Sequence, residues 1–122
     1  MPTIIEMLEK ILRDLKMTGE INGCAIVSRD GLLMASDIPQ EVDGGTFAAM
    51  SATMLGTAET AASELVEGIP DKVIVESPSG KIIISGAGSS ALIVCTTPSE
   101  AKLGLVLVEM ARTSEKVKKV LL

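Results

Sequence analysis

The side chains best equipped for chemistry are few: Cys24, Cys95, Arg29, and the glycine-rich turns Ser79-Gly80-Lys81 and Gly86-Ala87-Gly88-Ser89-Ser90. The chain has no histidine. That removes the Ser-His and Cys-His couples, the imidazole general base and the usual zinc and iron ligand sets. The two cysteines are isolated inside apolar runs, so buried reduced thiols are the first expectation and a disulfide the second. A phosphate-binding glycine loop must lie between a strand and a helix, whose N-terminus then faces the anion. Gly86–Ser90 falls between two apolar, strand-like runs, and Ser79-Gly80-Lys81 lacks the remaining residues of a nucleotide-binding loop; both are expected to be plain turns. Arg29 sits at a predicted hairpin tip, where an arginine finger offered to a nucleotide hydrolase would be worth ~10³–10⁵ in rate. A solvated surface arginine is the expected reading. The carboxylates Glu59, Glu64 and Glu67 are spaced along one predicted helix without a metal-ligating partner and are expected on a solvated face. No catalytic, cofactor or metal residue is assigned.

Composition narrows the function further. The 122 residues suit one domain, 1–122, with a modest core. Phe47 is the single aromatic residue, so Ile, Val, Leu, Ala and seven Met must fill that core. A net charge of −5 and the lack of aromatic stacking platforms argue against nucleic acid. No apolar run approaches the ~20 residues that cross a bilayer. The first residues lack a basic segment followed by an apolar one, so no signal peptide is expected and a cytoplasmic location is.

The elements that must position these side chains follow from periodicity. Thr3-Ile4-Ile5-Glu6 has capping-box spacing and opens a helix over 3–17, with Ile4, Ile5, Leu8, Ile11, Leu12 and Leu15 on one face and Gly19 as its stop. Glu6–Lys10 and Glu9–Arg13 are expected as i,i+4 pairs. Arg29-Asp30-Gly31 joins two apolar runs within 22–37 as a hairpin. These strands do not alternate, which predicts cover on both sheet faces. After a loop over 39–45, a helix is expected over 46–68, uncharged from Gly44 to Ala58. It carries two apolar stripes: Phe47, Met54, Ala58, Ala61 and Leu65, and beside them Ala48, Ala52, Leu55, Ala62 and Val66. A helix lying on one sheet needs one stripe, so the second predicts a further partner. Met50 and Met54 fit an adaptable binding surface and core or dimer packing equally well. Strands follow around Val73-Ile74-Val75, Ile82-Ile83-Ile84 and Ala91–Thr96, and a last helix from Pro98 with Leu103, Val106, Leu107, Met110, Val117 and Leu121 inward. The order αββαβββα predicts an α/β (α+β) three-layer α/β/α sandwich with five antiparallel strands.

This order, the stretch Gly23-Cys24-Ala25-Ile26-Val27-Ser28-Arg29-Asp30-Gly31-Leu32-Leu33-Met34-Ala35-Ser36, the Ala-rich middle helix and Leu103-Gly104-Leu105 together resemble the roadblock (dynein light chain) family. The long last helix is more similar to the stand-alone prokaryotic members than to dynein subunits. The resemblance implies a sheet in the order 2-1-5-4-3, with the outer helices on one face and the middle helix on the other. It implies a homodimer in which third strands pair edge to edge and middle helices pack together. Phe47, Met50, Met54, Leu55, Ala58, Ala61, Leu65, Val73, Ile74 and Val75 are the interface residues expected on that basis. The strand order also implies that Cys24 lies near Cys95. Family members regulate or scaffold Ras-like small GTPases, so such a GTPase is the implied partner. It would dock across the two-fold over the middle helices and the 38–45 loops, with Val42, Asp43, Glu59 and Glu64 at the contact. The alternative is a dimerisation platform in another assembly, without effect on a GTPase.

Overall fold

A computed structural model describes residues 1–18, 20–65 and 68–122. Gly19, Val66 and Glu67, named above as a helix stop, a stripe residue and a solvated carboxylate, lie outside the described residues. Thr3 caps α1 (Ile4–Lys16) through the expected reciprocal pair: its hydroxyl accepts from Glu6 N–H at 3.1 Å, and the Glu6 carboxylate accepts from Thr3 N–H at 2.9 Å. That engagement takes Glu6 away from Lys10, which donates instead to Asp14 at 3.0 Å. Of the two i,i+4 pairs expected, the structure forms neither; Lys10–Asp14 is the i,i+4 ion pair of this helix.

β1 (Gly23–Ser28) and β2 (Leu33–Asp37) form the first hairpin. Gly31, at φ 93°, donates to Ser28 C=O at 3.0 Å and Ser28 N–H donates to Leu32 C=O at 2.9 Å, a tight turn that needs glycine's left-handed backbone. β1 is covered on both faces as expected, but β2 is not: it lies at a sheet edge, with Leu33 and Ser36 exposed. β3 (Lys72–Ser77), β4 (Gly80–Ala87) and β5 (Ala91–Thr97) complete one antiparallel sheet of order β2-β1-β5-β4-β3, the order implied by the resemblance. Pro78-Ser79 closes the β3–β4 turn. A side chain at Gly80 would meet Thr97 C=O at 2.6 Å, so close strand packing, not phosphate, accounts for that glycine. Gly88, at φ 78°, turns β4 into β5, which confirms that loop as a strand-to-strand connection.

α2 (Gly44–Leu65) crosses one sheet face, while α1 and α3 (Leu103–Leu121) cover the other. The last helix therefore starts five residues later than expected. The Pro98 carbonyl accepts from Ala101 N–H and the Thr97 hydroxyl, and Lys81 Nζ donates to Ser99 C=O at 2.6 Å, so this segment is spent on a turn. The two layers differ in depth. Among the described residues, sixteen buried ones, including Leu8, Leu12, Ile26, Ile93 and Met110, fill the α1/α3 side; seven, including Leu55 of α2 with Ile84 and Val94 of the sheet, form the core on the α2 side. None of the described helices is long and apolar enough to cross a membrane.

Candidate partner-binding surface

Asp43 begins this surface. Its carboxylate accepts from the N–H groups of Gly45 (3.1 Å) and Thr46 (3.4 Å) and from the Thr46 hydroxyl (3.0 Å), which starts α2 at Gly44, two residues before the sequence-based start. Bonding to Thr46 holds this carboxyl below the usual Asp range. Asp43, expected at the partner contact, is thus a helix cap. Val42 beside it is exposed.

The two stripes of α2 separate in the fold. Ala48, Ser51 and Leu55 face the sheet and are fully buried. Leu55, expected at a dimer interface, is therefore spent on the core of the chain itself, where it and Ala48 share a buried cluster with Ala25, Val27 and Val94. Phe47 and Met54 are half-buried and, like Val73 of β3 and Ile82 of β4, pack against the same buried cluster. Met50, Ala61 and Leu65 point into solvent, Met50 at 58% exposure, and Ala58 is half-buried.

Between them runs a strip that the hydrophobic pattern does not reveal. Ala49, Thr53, Gly56, Thr57 and Thr60 are exposed along the outer line of α2. Thr53 and Thr60 return their hydroxyls to the carbonyls four residues back (2.8 and 3.0 Å), so their methyl groups face outward. Nothing lies within 4 Å of where a Gly56 side chain would be. A strip this small lets another backbone approach closely. The signal available in the sequence is the spacing Ala49, Thr53, Gly56/Thr57, Thr60.

β3 lies at the second edge of the sheet, with only β4 as its neighbour. Val73 and Val75 are half-buried, while Ile74 turns to the opposite face and is 37% exposed. Lys72 and Glu76 flank this apolar centre.

Arg29 overturns the reading of a free surface arginine. Its Nη1 donates to both oxygens of Glu59 (3.1 and 3.3 Å) and its Nη2 to Gly88 C=O (2.8 Å). The side chains of the pair are only 31% and 29% exposed. A side chain at Gly86 would meet Nη2 at 2.7 Å, so glycine at that position makes room for the guanidinium. The arginine therefore ties the β1–β2 turn, α2 and the β4–β5 turn together. Glu59, expected as a free rim charge, is the internal partner of this clamp. Glu64 remains exposed.

Cys24 and Cys95 face one another across the β1–β5 ladder, as the strand order implies. Both are free and fully buried. Burial pushes each thiol up to about 12. Cys24 Sγ donates to Leu12 C=O and Cys95 Sγ to the Met110 thioether, so these are packing groups and not nucleophiles.

Residues 7–97 match the Roadblock/LC7 domain family. The uncharacterized Methanocaldococcus jannaschii protein MJ1340 is 35% identical over 112 residues, covering 92% of this chain and 97% of its own. Among solved structures, Myxococcus xanthus MglB superposes with a TM-score of 0.90 at 17% identity, covering 99% of this chain and 92% of that one. The gliding protein mglB of Thermus thermophilus superposes with a TM-score of 0.84 at 18% identity, covering 98% and 92%. At those identities the superpositions establish the fold, and the family match over most of the chain establishes descent: this protein belongs to the Roadblock/LC7 family.

Proposed function

We propose that the chain is a non-catalytic homodimer that regulates or scaffolds a small Ras-like GTPase. One observation supports the dimer above the others: a β-edge with an apolar centre, Val73-Ile74-Val75, borders a helix whose outer strip is small and whose flanks are apolar. An edge of this kind invites a second strand. A second α2 against the strip of Ala49, Thr53, Gly56 and Thr60 can reach the short end of the ~8–10 Å range of helix separations. Both contacts fit one two-fold axis, which extends the sheet across the pair and buries Met50 and Met54.

The GTPase reading rests on family membership, because roadblock proteins act on such partners. Among the described residues the α2 side buries seven against sixteen on the other side, and this thinner layer is the one assigned to the client. Two such layers side by side make a groove over α2 and the 38–45 loops, with exposed Val42 and Glu64 at its border. A groove with two-fold symmetry favours one client per dimer.

Two measurements on the full chain test this. Sedimentation should give a dimer at micromolar concentration. Each Ras-like GTPase of the same cell should then be tested for co-elution and for its rate of GTP hydrolysis. Binding with a changed rate identifies a regulator, and binding without one a scaffold. A chain that binds none of them, yet dimerises, is a platform for another assembly, and the GTPase reading fails.

A further inference from the structure

The face away from α2 carries a second surface, separate from the one proposed above for the dimer and its client. α1 and α3 leave a groove of about 450 Å³ between them. Its floor is apolar, made by half-buried Met7, Ile11 and Val120. Ile4, 50% exposed, continues the same α1 stripe three residues before Met7. The rims are cationic: Lys10 on α1, and Lys116 and Lys119 on α3, all exposed.

Charge sets this face apart from the rest of the chain. Eleven of the sixteen carboxylates lie outside α1 and α3, but only four of the eleven cations do. α3 alone bears Arg112, Lys116, Lys118 and Lys119 against Glu109 and Glu115. Arg112 and Lys118 are neutralised by those two carboxylates, whereas Lys116 and Lys119 make no ion pair among the described residues. One carboxylate already sits at the groove. Asp14 accepts from Lys10 at 3.0 Å, and Lys10, aided by Lys116 and Arg13, holds its carboxyl below the usual range. The rim thus stabilises a carboxylate where it has one, and two further cations are left without any.

We infer that this α1–α3 groove is a docking site for an acidic amphipathic segment of a partner protein. Apolar side chains at helical spacing would enter over Met7, Ile11 and Val120, and Asp or Glu side chains on the segment's flanks would meet Lys116 and Lys119. The groove is shallow and open along the two helices, so a single helix or extended segment can lie in it. An anionic lipid surface is disfavoured because the net charge of −5 would repel it. The rim charges set partner choice and encounter rate, and the floor supplies the affinity. Since the groove faces away from α2, occupancy here and at the α2 surface are separable.

The test is selection of 12-residue peptides from a random phage-displayed library on the immobilised full chain. The selected peptides should carry a net negative charge and apolar residues spaced three or four apart. By fluorescence anisotropy they should bind at least about tenfold more weakly to Lys116→Glu/Lys119→Glu, whose exposed substitutions leave the fold and dimer intact. Ile11→Ala should weaken binding without changing its salt dependence. The inference is overturned if no peptide is selected, if the selected peptides are neutral or basic, or if they bind the double variant equally. Lysine-dependent binding of phosphatidylserine vesicles in place of peptides would also overturn it.

Discussion

Removing the Arg29 guanidinium tests whether the clamp beneath α2 is structural. In Arg29→Ala three hydrogen bonds vanish, two to Glu59 at 3.1 and 3.3 Å and one to Gly88 C=O at 2.8 Å. A hydrogen bond to a charged group nets ~1.5–3 kcal/mol. With about a third of each side chain in water, screening and rehydration of Glu59 return much of that. The expected loss is about 2 kcal/mol, or roughly 8 °C in melting temperature for a domain of this size. Gly86 supplies the sharper measurement. In the wild type, Gly86→Ala places a methyl 2.7 Å from Arg29 Nη2 and must push the guanidinium off Gly88, at a cost of about 1–2 kcal/mol. In the Arg29→Ala background that collision is gone, and alanine in a strand is favoured over glycine by roughly 0.5–1 kcal/mol. The sign of Gly86→Ala should therefore reverse between backgrounds, giving a coupling of at least about 1 kcal/mol in urea melts at one fixed protein concentration. Additive costs would refute the clamp. GTP hydrolysis by a bound GTPase supplies the complementary readout: Arg29→Ala should change it by less than about tenfold, since an arginine finger would forfeit ~10³–10⁵.

Three further outcomes follow from the placement of single side chains. Leu55→Ala should cost ~2–5 kcal/mol while the folded fraction stays dimeric, whereas Met50→Glu should keep the subunit folded and yield monomer in sedimentation, because the first side chain is buried in its own core and the second is 58% exposed. Cys24 and Cys95 should react slowly with a thiol reagent at neutral pH. Their folded values of about 12 lie above the ordinary 9.0, so the unfolded chain loses its thiol protons first; stability should fall as pH rises from about 9 toward 12, by up to ~1.4 kcal/mol per thiol per pH unit, and Cys24→Ala/Cys95→Ala should flatten that slope. Glu64→Lys should alter the rate at which a GTPase associates and its salt dependence without dissociating the dimer, as stopped-flow mixing would show.

Local pattern alone determined much of this protein. The Thr3–Glu6 capping box, the Asp30-Gly31 turn, the helical spacing of α1 and the absence of histidine each depend on neighbours a few residues apart, or on composition, and can be read along the chain. The order of helices and strands, with the family's motifs, carried the sheet order and the meeting of Cys24 with Cys95. Tertiary structure decided what depends on partners distant in sequence. Two adjacent apolar stripes on α2 are equivalent by periodicity, and only docking on the sheet turned Leu55 inward and Met50 outward. Turn residues are ordinarily solvated, yet Arg29 meets Glu59 thirty positions away because α2 passes over the hairpin tip. The α1–α3 groove has the same origin: Met7 and Val120 belong to opposite ends of the chain, and no local pattern relates them. Periodicity specifies which faces are apolar; packing of distant elements selects which of those faces is covered and which is left for a partner.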